Sequence, residues 1–307
     1  MSRRATCLAV MVSVFLGVGA GQLAWADNPA INTDDFLPSP HARDILDVNT
    51  TRAAKHLQYS GGIWFTYRQS PLVVQGFLGE GEVELVGAQL VGNLQFAMPL
   101  FGRASVGVDL PTLLYTAGDE PSQVNPDWSQ LSGAGLGDLR LSAKVRFWGD
   151  GKRGLGVGAA QELTLPTSVG DKLLGSDAPT STTRLVVDYQ CTGFVLALNG
   201  GYLVRKAATD FTPSVGDEVL MGAGLQIPLL RDVLQLLLTN QTRTLASDPF
   251  AATRATANST RGGLRIRPFR NLVVTAAGAV GFGALAGSAA WEGMLQIAWE
   301  PRGSHEH

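Results

Sequence analysis

Twelve stretches of this chain alternate polar and apolar residues with a period of two, over 56–68, 84–98, 103–115, 136–148, 153–165, 181–191, 194–206, 217–228, 233–245, 255–267, 272–284 and 289–299. That period marks strands with one polar and one apolar face. Between Asp138 and Phe147 it has no slip: Asp138, Arg140, Ser142, Lys144 and Arg146 share one parity, and Leu139, Leu141, Ala143, Val145 and Phe147 the other. A soluble sheet and a barrel in lipid both alternate in this way, so the connections must decide between them. Along the chain they run long, short, long, short: Gln69–Val83, Pro99–Gly102, Thr116–Gly135, Gly149–Lys152, and so on to Pro268–Asn271. Only the last hairpin, around Leu285–Ser288, is short where a long one is due. A soluble sandwich has no reason to sort loop length by end, whereas outer-membrane barrels carry short periplasmic turns and longer outer loops. The expected fold is therefore all-β, a transmembrane antiparallel up-and-down β-barrel of about 12 strands, with 10 or 14 as the neighbouring even counts.

Composition agrees with this. The 307 residues are 45% hydrophobic and 16% charged, with 37 glycines and a formal net charge of −2, which suits a β-rich chain and gives no electrostatic case for nucleic acid. Arg3 and Arg4, an apolar run from Leu8 to Gly19 and Ala24-Trp25-Ala26 have the form of an export signal. The reading is a cleaved signal peptide over 1–26, a periplasmic N-terminal segment over 27–54, a barrel over 55–300 and a periplasmic tail over 301–307. Beyond Asp27 no apolar stretch approaches the ~20 residues of a membrane helix, so any crossing falls to strands. Cleavage removes Cys7 and leaves Cys191 without an intramolecular partner. Phe65, Tyr67, Tyr115, Phe147, Trp148, Tyr189, Phe194, Tyr202, Trp291 and Trp299 fall near strand ends, where interfacial girdles belong.

Asp34–Val74, Gly107–Pro121 and Gly135–Phe147 resemble the N-terminal barrel half of OmpA/MotB-type outer-membrane proteins of myxobacterial type. The resemblance covers about Asp34 to Glu300 and implies a barrel in the cell outer membrane. In those relatives a peptidoglycan-binding domain typically follows, and the sequence given ends at His307 without one.

Catalytic signals are weak. His56 sits on the inward parity near Gln58 and Ser60 but no enzyme signature accompanies it, His41 has no evident partner, and His305-Glu306-His307 reads as a mobile tail. Gly133–Gly137 resembles a dinucleotide fingerprint only superficially, because it opens a strand and no helix. No enzyme, cofactor or metal site is expected. The informative set is the inward parity: Arg140, Lys144, Arg146, Arg184, Arg205, Arg243, Arg261, Arg265 and Arg267 against Asp109, Asp138, Glu162, Asp188, Glu218, Glu292 and Glu300, with Gln241 among them. Paired across the interior, these charges fill the lumen and the barrel is structural. Unpaired and solvated, they line a pore that favours anions or acidic solutes. Strand number leaves both open, since ~8 strands are filled by side chains and ~16 leave a channel. The function expected is a narrow channel or transporter for small solutes, with a non-conducting scaffold barrel of an envelope complex as the alternative and a secreted soluble β-protein a further one. Residues 27–54, polar and rich in proline, fold into the periplasmic mouth or remain a tether. The expected partners are outer-membrane lipid, the barrel-insertion machinery that reads a final strand such as Glu292–Trp299, and other envelope proteins.

Overall fold

The computed structural model describes residues 36–41, 43–75, 82–119, 134–169, 174–176, 178–206, 216–230, 233–250, 256–283 and 289–301. The signal, the acidic-basic tail at His305-Glu306-His307 and the hairpin tip 284–288 lie outside them. The strands are β1 (Ser60–Gln75), β2 (Glu82–Leu100), β3 (Ala104–Ala117), β4 (Gly135–Leu136), β5 (Leu139–Trp148), β6 (Gly154–Leu165), β7 (Thr180–Gln190), β8 (Val195–Val204), β9 (Glu218–Leu230), β10 (Leu234–Leu245), β11 (Thr256–Phe269), β12 (Leu272–Gly283) and β13 (Trp291–Trp299).

Every pairing is antiparallel between neighbours, and β4 and β5 share one position beside β3, so the sheet has twelve places. Closure comes from β1 against β13, in register from Gly61 opposite Trp299 to Gln69 opposite Trp291. Closing the sheet leaves no edge strand with unpaired backbone groups, which lipid could not satisfy.

The first hairpin departs from the sequence reading. Most of the expected loop Gln69–Val83 is strand, because β1 continues to Gln75 and β2 begins at Glu82. Bulges between Gln69 and Leu72 and between Leu72 and Val74 break the alternation there, which is why period counting ended the strand early. His56 is also misplaced by the parity argument. It precedes β1 and is exposed, with its ring stacked on Phe101 at 4.8 Å and its Nδ1 accepting the Phe101 N–H at 3.2 Å.

The outer surface carries the apolar parity. Leu141, Phe147, Leu196, Leu198, Leu238, Leu264, Leu295 and Ile297 are exposed, as lipid-facing residues must be. Aromatic contacts mark both ends. Tyr59 packs on Phe96 and Trp299 at the short-turn end, and Tyr67 packs on Trp291 at the other. Cys191 is a free cysteine.

Candidate functional site: a lumen filled by the N-terminal segment

Residues 36–41 and 43–52 run inside the barrel. The segment carries four large apolar side chains, Phe36, Ile45, Leu46 and Val48, which pack against the inward Trp64, Val195, Ala197, Leu237 and Met294. Each such burial contributes ~1.5–3 kcal/mol. Phe36 meets Trp64 edge-on at 5.3 Å and lies under the Arg261 guanidinium. Ile45 and Val48 exchange both backbone hydrogen bonds, 3.0 and 2.8 Å, across a tight turn in which Leu46 has φ 54°. That turn places Asp44 and Asp47 on either side, facing opposite walls.

Asp44 is the centre of the segment. Its carboxylate accepts from Ser39 Oγ, Asn49 Nδ2, Thr50 N, Thr50 Oγ1 and Lys144 Nζ, the last at 2.6 Å. Asp47 accepts from Arg261 Nη1 at 2.7 Å and Thr239 Oγ1 at 3.0 Å, while its carbonyl accepts from Gln241 Nε2 at 3.1 Å. Asn49 and Asn199 exchange two hydrogen bonds, and the Thr51 N–H and hydroxyl donate to Asp188. Arg52 donates to Gln226 at 2.6 Å, and the Pro38 carbonyl accepts from Gln95 at 2.7 Å. Wall and segment therefore satisfy many of one another's buried polar groups, as burial demands.

The wall is shaped for this occupant. A Cβ on the inward Gly107 would stand 2.6 Å from Pro40 Cγ and 2.7 Å from Ser142 Oγ, and one on Gly156 would collide with Thr51 Oγ1. Such distances force something to move. Gly107→Leu is expected to expel the segment, exposing residues 36–54 to protease at least ~10-fold faster than in the parent. An unchanged cleavage rate in a folded barrel would count against this packing.

The inward charges of the sequence reading divide into three sets. Lys144 and Arg261 hold the segment's carboxylates, Arg146 donates to the Thr51 carbonyl at 3.1 Å, and Arg265 donates to the Asp44 carbonyl at 3.1 Å. Others pair along the wall. Arg140 pairs with Asp109, Arg205 with Glu218, Arg243 with Glu218 at 3.7 Å, Arg184 with Glu162 at 3.9 Å, and Arg267 with Glu300 at 2.5 Å. Glu292 lies between Arg68 at 3.2 Å and Arg261 at 3.5 Å. Asp138 serves neither purpose. It is buried just ahead of β5, and its carboxylate accepts the N–H groups of Thr167, Ser168 and Ser176, tying down the loop after β6.

Parity counting missed Arg68, at the very end of its assigned strand, and gave no partners to Asp44, Asp47 or Arg52. His41 was read as lacking a partner. It is in fact buried, with Nδ1 2.9 Å from Ser105 Oγ and Nε2 3.3 Å from Ser142 Oγ. Burial first, and Lys144 next to it, push its pKa down to about 3 despite the opposing pull of Asp44. The ring thus stays neutral where it is docked, while a hydrated ring protonates near 6.5. Docking keeps its full strength above about pH 6.5 and weakens as pH falls from there toward 3. Asp44 stays ionised through that range, held to about 2 against the opposing cost of its burial by Lys144, His41 and its hydrogen bonds. Protease exposure of 36–54 should rise between pH 7 and 4.5, and His41→Gln should flatten that rise. A profile that His41→Gln leaves unchanged would refute the assignment.

An edgeless twelve-place barrel with an apolar exterior, aromatic rims and a polar lumen is a β-barrel of the outer-membrane type. Residues 57–217, more than half of the chain, match the family described as "Putative MetA-pathway of phenol degradation", and the chain belongs to that family. The fold is similar to the COG4313 outer membrane channel from Pseudomonas putida F1, with a TM-score of 0.59 and 16% identity over 83% of this chain and 99% of that one. It is also similar to the NanC porin, with a TM-score of 0.52 and 6% identity over 79% of this chain and 99% of that one. No curated protein matches the sequence.

Proposed function

We propose that this protein is an outer-membrane channel for small solutes whose lumen is closed by its own residues 36–54. The observation that carries the reading is the kind of closure. The interior is filled by a segment ahead of the first strand, while the wall opposite it is trimmed to glycine at Gly107 and Gly156. A barrel meant only as a scaffold can be filled by wall side chains alone. The orientation that follows from loop length puts both chain ends and the short turns in the periplasm, so the segment enters from that side after removal of residues 1–26.

The solutes proposed are small and weakly polar, phenol-like aromatics among them. The family description supports this, and so does the apolar cluster of Leu72, Leu85, Val86, Val91, Leu113 and Leu174 at the long-loop end. The ion pairs argue against a selective pore built of solvated arginines. The same pairs favour the second reading, a non-conducting barrel of an envelope complex. Planar-bilayer recordings of the whole chain and of a chain lacking 36–54 separate the two. Conductance that appears on deletion supports a channel, and silence from a correctly folded, heat-modifiable deletion barrel supports the scaffold.

A further inference from the structure

Among the described residues, three cavities border the docked segment. One lies beside Trp64 and Gln296, a second beside Glu162 and Arg184 toward the long loops, and a third beside Arg43 and Pro99 toward the short turns. Their volumes, about 30, 10 and 10 Å3, are those of one or two water molecules each. His41 is the one residue that lines all three. Its ring spans from β5 to β3, with Ser142 bordering the long-loop cavity and Ser105 the short-turn cavity. His41 thus borders water-sized spaces toward both ends of the barrel.

We infer that His41 is the constriction residue of a narrow path past the docked segment, so that its side chain sets whether ions and the smallest solutes cross while residues 36–54 remain in place. The inference rests on the channel reading above. Its physical basis is that His41 is the residue common to the long-loop and short-turn cavities, on a segment that has further anchors of its own, Asp44 on Lys144, Asp47 on Arg261 and Thr51 on Asp188. Removing the ring enlarges the space between the cavities it borders and leaves the side chains of those anchors in place.

The test compares His41→Ala in the whole chain with the parent and with the chain lacking 36–54, all in planar bilayers with potassium chloride. The expected result is conductance steps several-fold above the parent and well below those of the deletion. A second variant, His41→Cys with Cys191→Ser, should show steps that a small positively charged methanethiosulfonate reagent reduces. Unchanged steps in His41→Ala, or cysteine steps insensitive to the reagent, would overturn the inference while the deletion still conducts. Steps of His41→Ala equal to those of the deletion would also overturn it, since loss of the ring would then have released the whole segment. A silent deletion barrel would remove the channel reading itself.

Discussion

A chain lacking residues 36–54 is expected to fold into the same barrel and to conduct at least ~10-fold more than the whole chain, because the lumen that the segment's packed side chains occupy is left to water. The ladder that closes the wall, β1 on β13 and β2 on β3, makes no use of the segment. Loss of the segment's carboxylates does not strand its basic partners. Water enters with the vacancy, so Lys144 and Arg261 become hydrated charges and escape the penalty of unpaired buried ones. Emptying the lumen also leaves an excess of basic groups at mid-wall, and the open form should therefore favour anions. Reversal-potential measurements under a salt gradient check that sign, and a cation-selective open state would contradict the charge assignment.

Asp44→Ala should have the next largest effect. With the segment still docked, it leaves the Lys144 ammonium and the other donors to Asp44 buried without their acceptor. Removing one partner of a buried ion pair costs ~3–5 kcal/mol, a factor of some hundreds or more in the docking equilibrium. The released form should be read directly as long openings with the conductance of the deletion. Replacing both partners, Asp44→Leu with Lys144→Met, removes the uncompensated charge and should close the lumen again more often than Asp44→Ala alone. Recordings of Asp44→Ala as quiet as the parent would show that the apolar contacts of Phe36, Ile45 and Val48 hold the segment by themselves.

Much of the wall was legible from sequence. Alternation and loop sorting pointed to a closed antiparallel wall of twelve places, as found. The parity of Leu139–Phe147 assigned its faces correctly, because a strand's side chains alternate whatever surrounds it. The first hairpin was misread where bulges interrupt that alternation. His56 was misread because parity was extended past the true start of β1 at Ser60. The partners of His41, Asp44 and Asp47 were not legible at all, since the segment that bears them has no period to read.

The stretch Asp138–Phe147 shows where the division falls. By itself the sequence determined that Arg140 and Lys144 share one face, since side-chain direction in a strand is local and covalent in origin, and loop sorting made that face the inward one. Only the tertiary structure decided what they meet: Arg140 pairs with Asp109 on the adjacent strand, whereas Lys144 meets Asp44, 100 residues away on a segment with no strand pattern. Likewise Arg261 finds Asp47 across 214 residues. Charge pairing inside a lumen depends on closure of the wall and on the path of the chain within it, and neither leaves a mark in the spacing of residues along the chain.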